Sequence, residues 1–255
     1  MKLFFLGTGA ADWPLKKAPG KFGRYFSSTL IDDHLLIDPG PCVLSFEKDC
    51  GKPLLDSVTD ILLTHCHSDH YAADTLSALA SRHPITFYAT EAVRGQVPDV
   101  PGLTFVPIVP FVPFSIGDYT VLPLPGSHST QHKDEQPVVY VISHSGKCLF
   151  YGLDGAWLPN KTFNVMKHYA FDAMVWDCTS GDVEGEFRIF EHNTIPMLEY
   201  MLKSLRLSFP SMLKPGCQLI ADHMAMTLHT DHAALEERLN GFGMTAAYDG
   251  REITL

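Results

Sequence analysis

Short apolar runs alternate with glycine, proline and aspartate clusters along this chain, and amphipathic stretches stand between them. Lys2 to Leu6, Ser28 to Ile31 and Leu35 to Ile37 read as strands, the last two forming a hairpin around Asp32-Asp33-His34. Pro41 to Cys50 suggests a helix. Asp60 to Leu63 reads as a buried strand, and Tyr71 to Ala80 as a helix with an Ala/Leu face. Ile85 to Ala89 is the next strand. Pro98, Pro101, Pro107, Pro110 and Pro113 exclude the 97–115 region from sheet interiors, which predicts short edge strands and loops there. Strands follow over Tyr119–Leu124, Val138–Ser143, Lys147–Tyr151 and Ala173–Trp176. Ile195–Leu207 is a helix with Leu198, Met201, Leu202 and Leu205 on one face. Residues 208–215 read as an extension, Gln218–Ala221 as a strand and Leu235–Leu239 as part of a last helix. Thr245–Tyr248 and Glu252–Leu255 close the sheet. Strands and helices are mixed throughout with no linker, repeat or low-complexity tract, so residues 1–255 read as a single α/β domain.

Composition narrows the class. A hydrophobic fraction of 45% with 19% charged residues is that of an ordinary globular protein. No apolar run approaches the roughly 18 residues needed to span a bilayer. The apolar run Leu3–Leu6 is too short for a secretory signal, so the expected location is the cytoplasm. The six cysteines have no C-x-x-C spacing, which argues against a disulfide framework or a zinc knuckle. A net charge of −10 disfavours extended nucleic acid as a partner. It leaves a small phosphorylated substrate open, because bound metals supply local positive charge. Residues 13–24 carry Lys16, Lys17, Lys21 and Arg24 on a Pro/Gly-rich segment that could be a cationic lid or a solvated loop. The aromatics of residues 105–114 fit a homodimer surface or a substrate lip.

The densest chemistry lies in Thr64-His65-Cys66-His67-Ser68-Asp69-His70, between a strand and a helix. Imidazole nitrogens and carboxylate oxygens are the usual donors for zinc, manganese and iron. Cys66 is out of phase with His65 and His67 and is expected to point away. Further donors stand at strand ends: His128 or His132 after one strand, Asp154 after another, and His223, with His229 nearby, after a third.

The pattern His-x-His-x-Asp-His resembles the signature of the metallo-β-lactamase superfamily. Leu124-Pro125-Gly126-Ser127-His128, Tyr151-Gly152-Leu153-Asp154 and Ala221-Asp222-His223 match its later motifs. The resemblance implies a four-layer αββα sandwich of two mixed sheets flanked by helices, and a centre of two divalent ions. Zinc and manganese both suit the donors, and iron stays open. On this resemblance His65, His67 and His128 hold one ion, Asp69, His70 and His223 hold the other, and Asp154 bridges. Asp69 is counted as catalytic as well as a ligand. His132 remains an alternative to His128, and His229 is read as a wall or phosphate-contact residue. Asp38, in Asp38-Pro39-Gly40, is either the aspartate that orients a metal-bound histidine in this superfamily or a turn carboxylate.

Asp177-Cys178-Thr179-Ser180 followed by Phe190-Glu191-His192-Asn193-Thr194-Ile195 resembles the RNase Z-like and phosphodiesterase branch, including the cyclic phosphodiesterases of the carbon–phosphorus lyase pathway. That likeness implies phosphodiester hydrolysis by a metal-bridging hydroxide, with His192 at a helix start as the acid for the leaving group. Asp177 or Glu191 would be needed to hold its proton. A thioesterase or lactonase of the same fold, like glyoxalase II, is the alternative, and would need no such acid. An RNase Z-like role fits less well, because no long insertion for gripping transfer RNA is present.

Overall fold

The computed structural model describes residues 1–18 and 22–255, and the chain falls into two compact units. Lys21, one of the residues assigned to a cationic lid, lies outside the described residues.

The first unit comprises Met1–Val109, Thr130–Gln136 and Tyr248–Thr254. Its strands are β1 (Lys2–Gly7), β2 (Ser28–Ile31), β3 (Leu35–Ile37), β4 (Asp60–Leu62), β5 (Ile85–Thr90) and β6 (Leu103–Ile108), completed by a strand from the far end of the chain, Glu252–Thr254. That last strand pairs antiparallel with β1, and β3 through β6 run parallel to one another. The sheet is therefore seven-stranded and mixed, with β6 at one edge. Pro107 lies in β6, where its missing N–H removes no inner ladder bond, as the edge expectation for this region required. Two helices, α1 (Val43–Cys50) and α2 (Ala73–Ala80), place Val43, Phe46, Leu76 and Leu79 in the same apolar cluster as Leu36, Ile61 and Phe87. Gly7, the last residue of β1, has no room for a side chain, since an added Cβ would lie 1.9 Å from the Phe26 carbonyl oxygen. Arg24 is buried and hydrogen-bonds Thr8, whose hydroxyl donates to Asp249 at 2.8 Å. Arg24 is thus a structural cation, and neither a lid nor a solvated loop describes it.

The second unit comprises Pro110–Ser129 and Pro137–Ala247, with Leu255. Its strands are β7 (Phe114–Ile116), β8 (Tyr119–Pro125), β9 (Val138–His144), β10 (Lys147–Gly152), β11 (Phe171–Asp177), β12 (Leu213–Asp222) and β13 (Thr245–Ala246). They form a second seven-stranded mixed sheet in the order β13-β12-β11-β10-β9-β8-β7. The two C-terminal strands therefore close two different sheets, β13 here and Glu252–Thr254 (β14) in the first unit. The helices are α3 (Asn160–Met166), α4 (Ile195–Ser208) and α5 (His232–Asn240). Thr194 caps α4, its hydroxyl accepting the Met197 N–H at 3.2 Å, and Leu198, Leu202 and Leu205 are buried with Trp176, Phe150 and Phe171. Residues 208–215, read as an extension, hold the end of α4, a 3₁₀ turn over Pro210–Met212 and the start of β12 at Leu213.

No described helix is long and apolar enough to cross a membrane. All six cysteines are free thiols.

Candidate metal centre

In the first unit, β4 ends at Leu62 and the chain turns through the histidine-rich loop before α2. Asp38 anchors this loop. It is fully buried, and its carboxylate accepts the Thr64 N–H at 2.8 Å and the Thr64 hydroxyl at 2.9 Å. Its other oxygen lies 2.8 Å from His70 Nδ1, which leaves His70 Nε2 to face Asp69 at 3.4 Å. Asp38 is thus more than a turn carboxylate: it sets the ring orientation of His70. Burial pushes its carboxyl above the ordinary aspartate value, against the pull of His70 and Thr64. Across the loop, His65 Nε2 and His67 Nδ1 are 2.9 Å apart. Gly40 has no room for a side chain, since an added Cβ would lie 2.3 Å from the Asp69 carbonyl oxygen. Cys66 is buried and its thiol meets Glu135, so it faces protein and stays protonated, pushed up to about 12 by burial and then by Glu135.

In the second unit, β10, β11 and β12 run parallel, with Gly152 level with Trp176 and Asp177 level with Asp222. Their carboxyl ends therefore reach one sheet edge together, and Asp154, Asp177 and His223 sit at or just beyond those ends. Asp154 and His223 adopt left-handed φ values of 48° and 60°. Non-glycine residues hold that conformation at a cost of about 1–3 kcal/mol each, and such strain collects at functional sites. His223 Nε2 is 2.9 Å from Asp154 Oδ1, and His128 Nε2 is 3.6 Å from Asp154 Oδ2. Asp154, Asp177, His192 and His223 each offer a donor atom within 4.8 Å of the others. Of the two rival histidines, His128 stands beside Asp154. His132 belongs to the first unit, where its Nε2 is 3.1 Å from Gln96 Nε2.

His192 lies before α4, two residues ahead of the capping Thr194, and not at the helix start itself. Its Nδ1 is 2.8 Å from Asp177 Oδ2. Burial lowers its affinity for a proton, but the charge and hydrogen bond of Asp177 raise it by more, so the net direction is up. Of the two candidate carboxylates, Asp177 is the one that meets the His192 ring. Glu191 is half exposed and turns toward His128 and Ser129. Thr179, within the Asp177–Ser180 motif but given no role there, has its hydroxyl within 3.1 Å of His192 Nδ1, His223 Nδ1 and Asp177 Oδ2. Asn193 donates its N–H to Asp177 at 2.9 Å and accepts the Trp157 N–H at 3.1 Å. His229 donates from Nε2 to the Cys178 carbonyl at 2.6 Å, which fixes its ring against the end of β11.

Nitrogen and oxygen donors arranged in this way have the chemistry of a divalent metal site. A sequence model of the beta-lactamase superfamily domain matches residues 33–204. The chain belongs to the beta-lactamase superfamily. Solved structures of this superfamily's fold are similar along its whole length. The metallo-β-lactamase fold protein YhfI from Bacillus subtilis is 16% identical, with 99% of this chain and 98% of that one covered at a TM-score of 0.74. Zn(2+)-bound PqqB from Methylobacterium extorquens is 19% identical, with both chains covered at 100% and a TM-score of 0.72. The short form of human tRNase Z is 16% identical, with 100% and 99% covered and a TM-score of 0.71. These likenesses show the metallo-β-lactamase fold that the motifs implied. No curated protein sequence matches this chain. As a superfamily member with clustered His and Asp donors, the chain is a metal-dependent hydrolase.

Proposed function

We propose that residues 1–255 act as one dinuclear phosphodiesterase on a small, soluble phosphodiester, cyclic phosphodiesters included. On the superfamily resemblance, His65, His67 and His128 would hold one ion and Asp69, His70 and His223 the other, with Asp154 available to both. Zinc or manganese suits this donor set, with iron as a further candidate. Divalent ions bound there supply Lewis acidity and activate water at neutral pH.

The observation that carries the phosphodiesterase reading is the pair Asp177–His192, at 2.8 Å, beside Asp154 and His223. A phosphodiester with an alkoxide leaving group needs a proton at the departing oxygen. Asp177 accepts the Nδ1–H of His192, which fixes the ring and leaves Nε2 to deliver that proton. Thr179 and the Asn193 N–H complete the shell around Asp177, so the carboxylate cannot turn away. A thioester hydrolase of this fold has no comparable need for such an acid, because a thiolate departs unaided; a lactonase, whose leaving group is an alkoxide, is told apart by its substrates.

The test is a substrate panel on metal-reconstituted protein: bis(p-nitrophenyl) phosphate, a cyclic ribose phosphodiester, S-lactoylglutathione and a simple lactone. The expected result is turnover of the diesters well above that of the thioester and lactone. Thioester or lactone turnover without any diester hydrolysis would overturn the reading.

A further inference from the structure

Glu135 is a buried carboxylate whose two oxygens both go to one residue of the histidine loop. Oε1 accepts the Cys66 N–H at 2.9 Å, and Oε2 accepts the Cys66 thiol at 2.7 Å. Cys66 lies between His65 and His67, whose ring nitrogens meet at 2.9 Å. A carboxylate is costly to bury, and hydrogen bonds to the charged form are the strong ones that offset the cost. Here both bonds fix the residue between two metal-donor histidines. One bond sets the peptide that joins His65 to Cys66, and the other sets the Cys66 side chain.

The segment that carries Glu135 is itself braced. His132 uses its carbonyl to accept the Glu135 N–H at 3.0 Å, and Thr130 accepts the His132 N–H at 3.1 Å, which makes 130–136 a self-bonded turn. The His132 ring meets Gln96, and the Gln96 carbonyl accepts the Tyr71 hydroxyl at 2.7 Å. Tyr71 follows His70 directly. The turn is therefore tied to the histidine loop at both ends of that loop, through Cys66 and through Tyr71.

We infer that Glu135 is a positioning residue for the metal-binding loop, holding Cys66 so that His65 and His67 present their nitrogens to a single ion. This rests on the dinuclear reading above. Glu135 acts through Cys66, and its own oxygens are already used, so it is not a ligand.

The test compares wild type with Glu135→Ala and Glu135→Gln. Zinc affinity is read by competition with a chelating dye, and the visible absorption of the cobalt-substituted proteins is recorded beside it. Melting of the metal-free proteins is measured separately. Glu135→Ala is expected to weaken one zinc site by about 10–100-fold, the range for groups that orient metal ligands, and to alter the cobalt spectrum. Glu135→Gln keeps one acceptor oxygen and should recover part of the loss. If Glu135→Ala fails to fold, the glutamine variant must still show weaker zinc binding and a changed spectrum. Zinc affinity within twofold of wild type and an unchanged spectrum, with or without a lower melting temperature, would reduce Glu135 to a purely structural role. Wild type that hydrolyses diesters while the variants bind zinc unchanged would sink this inference alone. Wild type that takes up no metal would sink the dinuclear reading with it.

Discussion

Replacing His192 by alanine should slow hydrolysis of an alkyl phosphodiester by about 10²–10⁴-fold, the range for loss of a general acid. Metal content should not change, because the proposed role of His192 is proton delivery and its Nδ1 is engaged by Asp177 at 2.8 Å. The size of the loss should depend on the leaving group. Nitrophenolate departs with little help, so bis(p-nitrophenyl) phosphate should suffer less than an alkyl or ribose diester. This contrast separates an acid from a residue that merely shapes the pocket, which would slow both substrates alike. An equal loss on both substrates, or none on either, would remove His192 from the role. Asp177→Asn should reproduce much of the effect, since an amide cannot stabilise the cationic ring.

Asp38 should have the largest effect on the integrity of the fold. Asp38→Ala leaves the Thr64 N–H, the Thr64 hydroxyl and His70 Nδ1 without the carboxylate that now takes all three. Removing one partner of a buried charged network costs about 3–5 kcal/mol. Asp38 also holds a φ of 62°, which alanine tolerates poorly and asparagine better. Asp38→Asn should therefore fold more stably than Asp38→Ala. It should still lose metal affinity by about 10–100-fold, because an amide orients His70 less firmly. Urea denaturation of the metal-free variants checks the first statement, and a zinc competition assay checks the second. If Asp38→Ala is as stable as wild type, the anchoring role of this residue is wrong.

The candidate donors were legible in the sequence because they cluster, at His65, His67, Asp69 and His70, or because they follow strand ends, at Asp154 and His223. Strand ends are readable from hydrophobic runs, and β10, β11 and β12 were all placed, although β12 begins five residues earlier than its apolar core suggests. The supporting residues carried no such signal. Glu135 stands in no motif, and Thr179 and Asn193 look like ordinary polar neighbours within theirs; what makes all three matter is a long-range hydrogen bond. Asp38 could be named only as one of two alternatives, because its left-handed backbone and its bond to His70 are tertiary facts. Arg24 looked like one of several loop cations, yet it is buried against Thr8. Helix α3 escaped notice because seven residues starting after a proline give too short a period to read.

Phosphodiester hydrolysis driven by a pair of divalent ions must depend on both of them. The most direct measurement titrates zinc or manganese into chelator-treated protein while following turnover of a phosphodiester. The expected result is no activity without metal and a rate that climbs until a second equivalent is bound. Full activity with no metal or after one equivalent, or no diester hydrolysis with both ions bound, would contradict it.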